Sequence, residues 1–329
     1  MKDKVLLVLK IIGIIVFFPL ILIGWVVSVL ITSILRIKDK KMLENPIGKF
    51  IEVDGHRMNV LVKGEGEHTI VFLPGLCSSS PVLEFKPLYS QLEKDFKIVV
   101  PEKFGYGFSD IVKENRDYMN TVEQYRKAFE ILGIKGPFIL CAHSLGGNEV
   151  ELWEQHYPDE VEAFIGIDAN LANYVCDWNK YWTFRHWRLE SLYYQILRVA
   201  GWSRNGFRPN LEKVLCKEDL RILRALNTKN DSNIDTYSEL QNKFAANDLI
   251  NSKPLPAQPT LQFVDAPEWF IKGEEGKYEE NEESWIKSHE ELVAASTNGK
   301  LSYSSCGHCI HCFEYERMAN EIKEFVKTL

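Results

Sequence analysis

Residues 142–147 read Ala-His-Ser-Leu-Gly-Gly, and this short stretch decides how the rest of the chain is interpreted. It stands directly after the apolar run 138–142 and directly before residues 145–156, which have the spacing of a helix. A reactive serine at a sharp strand-to-helix turn needs small residues two positions before and two positions after it. Ala142 and Gly146 meet that need. The pattern therefore predicts that Ser144 is a nucleophile exposed at the end of a strand.

Short apolar runs alternate with helical patterns on both sides of this turn. The strand-like runs are 68–73, 96–100, 138–142, 163–167, 260–264 and 301–304, and a hairpin over 50–61 precedes them. Helical spacing is found over 81–92, 120–132, 145–156 and 314–329. Short strands that are almost wholly apolar are typical of a parallel sheet covered by helices on both faces. We therefore predict an α/β fold with a mostly parallel, doubly wound sheet.

One long interval, residues 170–253, interrupts the alternation of strands and helices. It has helical character and many aromatic residues. We predict that it forms a helical cap inserted over the carboxyl edge of the sheet.

A serine hydroxyl is unreactive without a base, and a base must come from a loop at the same edge of the sheet. His308 follows the last predicted strand and precedes the final helix, so it is the candidate base. An acid would orient the imidazole and stabilise its protonated form. Asp168 directly follows the fourth apolar run, Asp265 directly follows the fifth, and Glu268 stands three residues later. The residues themselves leave the choice among these three acids open.

Two backbone N–H groups are needed to stabilise the oxyanion of a tetrahedral intermediate. One candidate is the N–H of Leu145, directly after the nucleophile. The other is the N–H of Leu76, in the loop 74–78 after the first strand of the alternating series. Gly75 gives that loop the freedom to fold towards Ser144.

The first 49 residues differ from the remainder in charge and hydropathy. They carry eight Lys or Arg against three acidic residues, 8 − 3 = +5, whereas residues 50–329 carry 31 − 43 = −12. Residues 11–35 hold no formal charge, and a helix of this length, rising about 1.5 Å per residue, exceeds the ~30 Å hydrocarbon core of a bilayer. We therefore expect residues 1–49 to form a transmembrane anchor with a basic linker and residues 50–329 to form one domain.

The charges flanking the apolar run predict the orientation and limit the partners of the chain. Five basic residues follow the run and three precede it, which favours a cytoplasmic domain. Seven cysteines, an odd number, fit a reducing compartment. A cleaved signal peptide is the competing interpretation, but its small-x-small cleavage site is missing after the run. The acidic domain argues against nucleic acid as a partner, since phosphate binding needs a basic surface.

The segment from Cys306 to Cys312 raises the alternative of a metal site, because it contains three Cys and two His. Its spacing does not match an iron–sulfur cluster or a haem attachment site, and a zinc ion there would consume the candidate base. Residues 104–110 contain Gly105-x-Gly107 but lack the third glycine of a dinucleotide-binding loop. We expect neither a metal nor a cofactor.

Over residues 50–329 the chain resembles the α/β-hydrolase superfamily, in the branch of single-domain esterases, lipase-like enzymes and proline iminopeptidases. The resemblance rests on Leu-Pro-Gly at 73–75, Gly-Tyr-Gly-Phe-Ser-Asp at 105–110, the turn at 143–147 and Gly-His-Cys-Ile-His at 307–311. It implies Ser144 as nucleophile, His308 as general base and a cap over 170–253. For the acid, it makes Asp168 and Glu268 equal candidates and places Asp265 behind them.

These observations lead to three hypotheses about function. The first is a membrane-anchored serine hydrolase that cleaves a carboxylic ester of a small or lipid-like acyl compound through an acyl-enzyme. The second is a peptidase or amidase of the proline-iminopeptidase type. The third, of another class, is a non-catalytic protein that uses the same fold to bind a ligand, since a fold does not fix a function.

Overall fold

A computed structural model of the chain describes residues 2–176, 187–206, 210–279 and 281–329. The predicted cap interval is described except for residues 177–186 and 207–209, so part of its aromatic-rich sequence lies outside the described residues.

Within the described residues, eight strands form one sheet in the order β1-β2-β4-β3-β5-β6-β7-β8. The first pair, β1 and β2, is an antiparallel hairpin, β2 pairs antiparallel with β4, and all other neighbours are parallel. This arrangement confirms the predicted fold. The strands are β1 Lys49–Val53, β2 His56–Lys63, β3 Thr69–Leu73, β4 Lys97–Glu102, β5 Phe138–His143, β6 Val161–Ile167, β7 Thr260–Asp265 and β8 Gly299–Ser304.

The helices lie before the sheet, between its strands and after them. In chain order they are α1 Lys2–Leu43, α2 Pro81–Glu84, α3 Lys86–Leu92, α4 Tyr118–Leu132, α5 Gly146–His156, α6 Trp187–Val199, α7 Leu211–Val214, α8 Lys217–Asn230, α9 Ile234–Asn251, α10 Glu268–Lys272, α11 Glu282–Ala295, α12 Ile310–Phe313 and α13 Tyr315–Val326.

The helical spacing over 81–92 corresponds to two short helices, α2 and α3, that meet at Phe85. Pro87 lies in the first turn of α3. Proline has no N–H to donate to the preceding turn, so a continuous helix would lack a hydrogen bond at this point.

The two faces of the sheet bury two separate cores, as the alternating side chains of β3 show. Val71 and Leu73 belong to a core with side chains of α4 and α5, whereas Ile70 and Phe72 belong to a core with side chains of α3 and α13. Alternate residues of a strand point to opposite faces, so helices on both sides are needed to cover such a sheet. The carboxyl ends of the parallel strands then meet at one edge.

Helix α1 precedes the sheet. Its segment Phe17–Leu43 is long and apolar enough to span a membrane, since an 18-residue window within it has a mean hydropathy of 2.4. Only 6% of that apolar window is buried against the described part of the chain, so most of its apolar side chains lie on the surface.

Candidate active site

Ser144 occupies a strained turn between β5 and α5. Its φ of +51° lies in the left-handed region, which is costly for a residue with a side chain and recurs at functional sites. A backbone hydrogen bond stabilises the turn, because the Ser144 carbonyl accepts the N–H of Asn170 at 2.7 Å. A Cβ on Gly146 would come within 2.9 Å of the Leu73 carbonyl oxygen. The small residue at position 146 thus allows the turn to pack against the end of β3.

The loop after β3 passes directly against the nucleophile turn. A Cβ added to Gly75 would lie 2.7 Å from the Cβ of Ser144, so only glycine permits this approach. Leu76 is the next residue of this loop, and Leu145 stands at the start of α5. The two backbone segments predicted to stabilise an oxyanion therefore flank Ser144. The N-terminus of α5 also favours negative charge at this position.

The structure brings His308 and Asp168 together. The Nδ1 atom of His308 lies 2.6 Å from Oδ2 of Asp168, and the indole Nε1 of Trp285 donates to Oδ1 of the same carboxylate at 2.7 Å. The backbone N–H of Asp265 is a further donor to Oδ1, at 2.9 Å. Burial by itself raises the pKa of Asp168, but the hydrogen bond and the charge of His308 outweigh this effect, so the pKa is lowered. Asp168 is thus a buried carboxylate held in its charged form.

The two nitrogens of His308 have different surroundings. Nδ1 lies against Asp168, so Nε2, on the other side of the ring, is the nitrogen that could take a proton from a reacting group. The side chain of His308 is 46% exposed, whereas that of Asp168 is 5% exposed. A base whose ring reaches solvent while its carboxylate partner is buried has the arrangement that general base catalysis requires.

The other two candidate acids lie in different environments. Asp265 accepts the N–H of Gly307 through Oδ1 at 2.8 Å, so it holds the loop that carries His308. The side chain of Glu268 is 70% exposed and pairs with Lys272 at 2.9 Å, one helical turn later in α10. Of the three carboxylates, Asp168 is therefore the one that lies within hydrogen-bond distance of the imidazole, and Glu268 is a surface residue.

Trp285 is part of this site although the sequence pattern did not point to it. It lies on α11, after the acidic stretch 273–283, and its ring centroid is 6.4 Å from that of His308. A tryptophan on an amphipathic helix carries no signal of a role at a distant strand end. Only the packing of α11 against β7 and β8 brings its indole to Asp168.

A second group of ionisable residues, Glu84, His143 and His311, lies behind the nucleophile turn. Oε1 of Glu84 is 3.5 Å from Nδ1 of His143 and 3.4 Å from Nε2 of His311, and all three side chains are at most 2% exposed. The Nε2–H of His143 donates to the carbonyl of His308 at 3.1 Å. Burial lowers the pKa of His143 to about 3, so its imidazole is neutral. We call these three residues the Glu84 cluster.

Among the described residues, the Glu84 cluster is also the group of three side chains close enough together to ligate a metal ion. The sequence had drawn attention to Cys306, Cys309 and Cys312 instead. Cys309 and Cys312 are buried in an apolar cluster with Leu83 and Leu211, which fits the role of small apolar side chains.

A cleft of about 360 Å³ lies between the loop after β3 and the cap. Cys77, Ser79 and Ser80 line it on the side of the loop, and Ser203, Leu223 and Asn227 line it on the side of the cap. The cleft thus joins the oxyanion loop to the turn at Trp202–Asn205.

Comparisons with known proteins agree with this architecture. The family model described as "alpha/beta hydrolase fold" matches residues 68–311. The uncharacterized protein YbdG of Bacillus subtilis (strain 168) is 28% identical over 312 residues, which cover 92% of this chain and 93% of that protein. A 2-(acetamidomethylene)succinate hydrolase of Mesorhizobium japonicum is 29% identical over 125 residues, 37% of this chain and 42% of that enzyme.

Solved structures show the same fold at low sequence identity. The enol-lactonase of Burkholderia xenovorans LB400 superposes with a TM-score of 0.64 at 15% identity, covering 85% of this chain and 100% of that one. Cfl2 of Burkholderia cenocepacia superposes with a TM-score of 0.61 at 20% identity, covering 84% and 94%. The fold, the strained turn and the family match over residues 68–311 together show that this chain belongs to the α/β-hydrolase family.

Proposed function

We propose that the protein is a membrane-anchored serine hydrolase that cleaves carboxylic esters of acylated amphiphiles. The observation that carries this proposal is the 2.6 Å contact between His308 and the buried carboxylate of Asp168, at the sheet edge where Ser144 occupies its strained turn. A nucleophile, a base and an orienting acid are the set that acyl transfer through an acyl-enzyme requires.

In this proposal Ser144 Oγ attacks the carbonyl carbon of the ester while His308 Nε2 takes its proton. The N–H groups of Leu76 and Leu145 hold the resulting oxyanion. The intermediate collapses, the alkoxide leaves with the proton from His308, and an acyl-serine remains. Water, deprotonated by His308, then releases the carboxylic acid and regenerates Ser144. Asp168 keeps the proton of the neutral imidazole on Nδ1 and stabilises the imidazolium of each step.

The anchor in this proposal is α1. Its apolar segment Phe17–Leu43 supports a membrane span, and the excess of basic residues after the apolar run supports a cytoplasmic domain. An ester of a membrane amphiphile suits an enzyme whose active site is held close to the bilayer.

The cleft between the loop after β3 and the cap supports an acyl chain as the substrate group. At about 360 Å³ it lies within the usual range of pockets for small organic ligands, and it lies between the loop that carries Cys77 and the helices that precede β7.

A panel of aryl acyl esters graded from acetyl to dodecanoyl tests the proposal on the full chain in lipid nanodiscs. We expect hydrolysis that disappears in Ser144→Ala and a kcat/KM that rises with acyl length. A preference for N-terminal proline arylamides would favour the peptidase hypothesis instead. Ligand-induced thermal stabilisation without turnover of either substrate class would favour the non-catalytic hypothesis.

A further inference from the structure

Helix α6, Trp187–Val199, exposes an apolar stripe on the surface of the cap. Leu189, Leu192, Tyr193 and Ile196 recur at the spacing of one helical face, and they are between 43% and 61% exposed. In a cap surrounded by water this face would be turned towards the protein core. Because this face instead points outward, an apolar surface other than the protein core is expected to cover it.

Helix α1 lies beside the carboxyl end of α6 and supplies hydrogen-bond donors to it. The hydroxyls of Ser28 and Thr32 both donate to the carbonyl of Ala200, at 2.8 and 3.0 Å, and the indole of Trp25 donates to the carbonyl of Ile196 at 3.4 Å. The last carbonyls of a helix lack partners within the helix, and hydrocarbon offers no water to replace them. The Ile196 carbonyl also accepts the N–H of Ala200, so the chief contribution of α1 is the pair of hydroxyls that bond the Ala200 carbonyl just beyond α6.

Charged contacts follow further along α1. The guanidinium of Arg36 donates to the carbonyl of Arg198 at 3.1 Å, and Arg204 pairs with Asp39 at 2.6 Å. We call Arg36, Asp39 and Arg204 the charged belt. Arg36 is the first charged residue after the apolar run, so in this proposal the charged belt marks the level at which α1 leaves the hydrocarbon.

The depth of α6 follows from that level. Trp25 precedes Arg36 by eleven positions, which corresponds to about 16 Å along a helix. Ile196, bonded to Trp25, and Arg198, bonded to Arg36, are only about 3 Å apart along α6, so the carboxyl end of α6 lies beside the last part of the apolar run, next to the charged residues. Trp202, 65% exposed, lies two residues before Arg204 of the charged belt, and tryptophan is enriched at membrane interfaces.

From these contacts we propose that α6 is embedded in the bilayer beside α1, with the stripe of Leu189, Leu192, Tyr193 and Ile196 against lipid acyl chains. This inference rests on the proposed anchor and adds that the cap itself enters the membrane. The turn at Trp202–Asn205, which follows α6, borders the cleft through Ser203. In this proposal an acyl substrate enters the cleft from the leaflet, past the turn that carries Ser203.

An environment-sensitive fluorescent amino acid, introduced by amber suppression at Leu192 of the full chain, tests this proposal in nanodiscs with and without lipids that carry a nitroxide on the acyl chain. Ile131 on α4 is the matched control, because it is also apolar and 57% exposed but belongs to the covering of the sheet. We expect blue-shifted emission and at least threefold quenching at position 192, and neither effect at position 131.

The other outcomes of this experiment would overturn either the embedding of α6 or the anchor itself. A probe at position 192 that behaves like the probe at 131 overturns the embedding, and blue-shifted emission without lipid quenching overturns it in favour of cover by a second copy of the chain. Release of the protein from membranes by alkaline carbonate would overturn the anchor itself, and with it this inference.

Ester hydrolysis provides a second test of the embedding of α6. Leu189→Glu with Leu192→Glu should lower kcat/KM for a dodecanoyl ester presented in the bilayer at least fivefold, while hydrolysis of a soluble acetyl ester stays within twofold of wild type. Equal loss on both esters would contradict entry from the leaflet.

Discussion

The rings of His308 and His143 are neighbours, with their centroids 4.6 Å apart, yet their carboxylate partners hold them differently. His308 lies 2.6 Å from Asp168, and almost half of its side chain is exposed. His143 is 1% exposed, and its Nδ1 lies 3.5 Å from Glu84, beyond the length of a normal hydrogen bond. Proximity to Ser144 alone does not distinguish a base from a buried structural histidine. A short bond to an ionised carboxylate and an exposed ring do.

Among the substitutions that distinguish the His308–Asp168 pair from the His143–Glu84 pair, Asp168→Asn is expected to lower the rate most. The amide can present an N–H to His308 Nδ1, which would place the imidazole proton on the wrong nitrogen. We expect kcat on an aryl ester to fall on the order of 10⁴-fold. Glu268→Gln is the matched control, because that carboxylate is on the surface and pairs with Lys272. It should remain within twofold of wild type, and the reverse order of the two effects would assign the acid to Glu268.

A smaller effect is expected from Asp265, which we regard as a positioning residue. Asp265→Ala removes the acceptor of the Gly307 N–H and loosens the loop that holds His308. We expect kcat to fall about tenfold with KM little changed, since misplacing a catalytic group mainly affects the chemical step. Asp265→Asn keeps an acceptor oxygen and should recover most of the rate. If Asn is as impaired as Ala, the charge of Asp265 matters and its role is more than positioning.

For His143 of the Glu84 cluster, we predict an effect on the pH dependence of the free energy of unfolding. Burial lowers the pKa of His143 to about 3, below the value of about 6.5 expected in the unfolded chain. The unfolded chain therefore binds one more proton between these two pH values, so stability falls as pH decreases from about 6.5 towards 3. At pH 5 the loss from this group is about 2 kcal/mol relative to pH 7.

Thermal unfolding of the detergent-solubilised chain from pH 7 to pH 5 measures this loss. His143→Gln lacks the titrating group, so its unfolding temperature should decline less steeply with acidity than that of wild type. Parallel pH profiles for the two proteins would show that folding leaves the pKa of His143 unchanged, which would contradict this prediction.

The fold could be predicted from the sequence because its signals are local. The apolar runs that become β3, β5, β6 and β7 are visible as short β-branched segments between helical patterns, and the small residues around Ser144 identify the turn. The chain order also singled out His308. These features depend on neighbours within a few residues.

The choice of acid could not be made in the same way. Asp168, Asp265 and Glu268 all stand at or near strand ends, and only the turn of each backbone decides where its carboxylate points. Asp168 adopts a φ of +43°, which a sequence pattern does not reveal. Trp285 likewise reaches the site from a helix 117 residues further along the chain. Long-range packing determines both results.

The most direct test of the central claim is the mass of the protein after reaction with a fluorophosphonate. We predict one covalent adduct per chain, located by peptide mapping on Ser144, absent in Ser144→Ala and formed at least a hundredfold more slowly in His308→Gln. An adduct on another residue, or no adduct on folded wild-type protein, would contradict the assignment of Ser144 as the nucleophile.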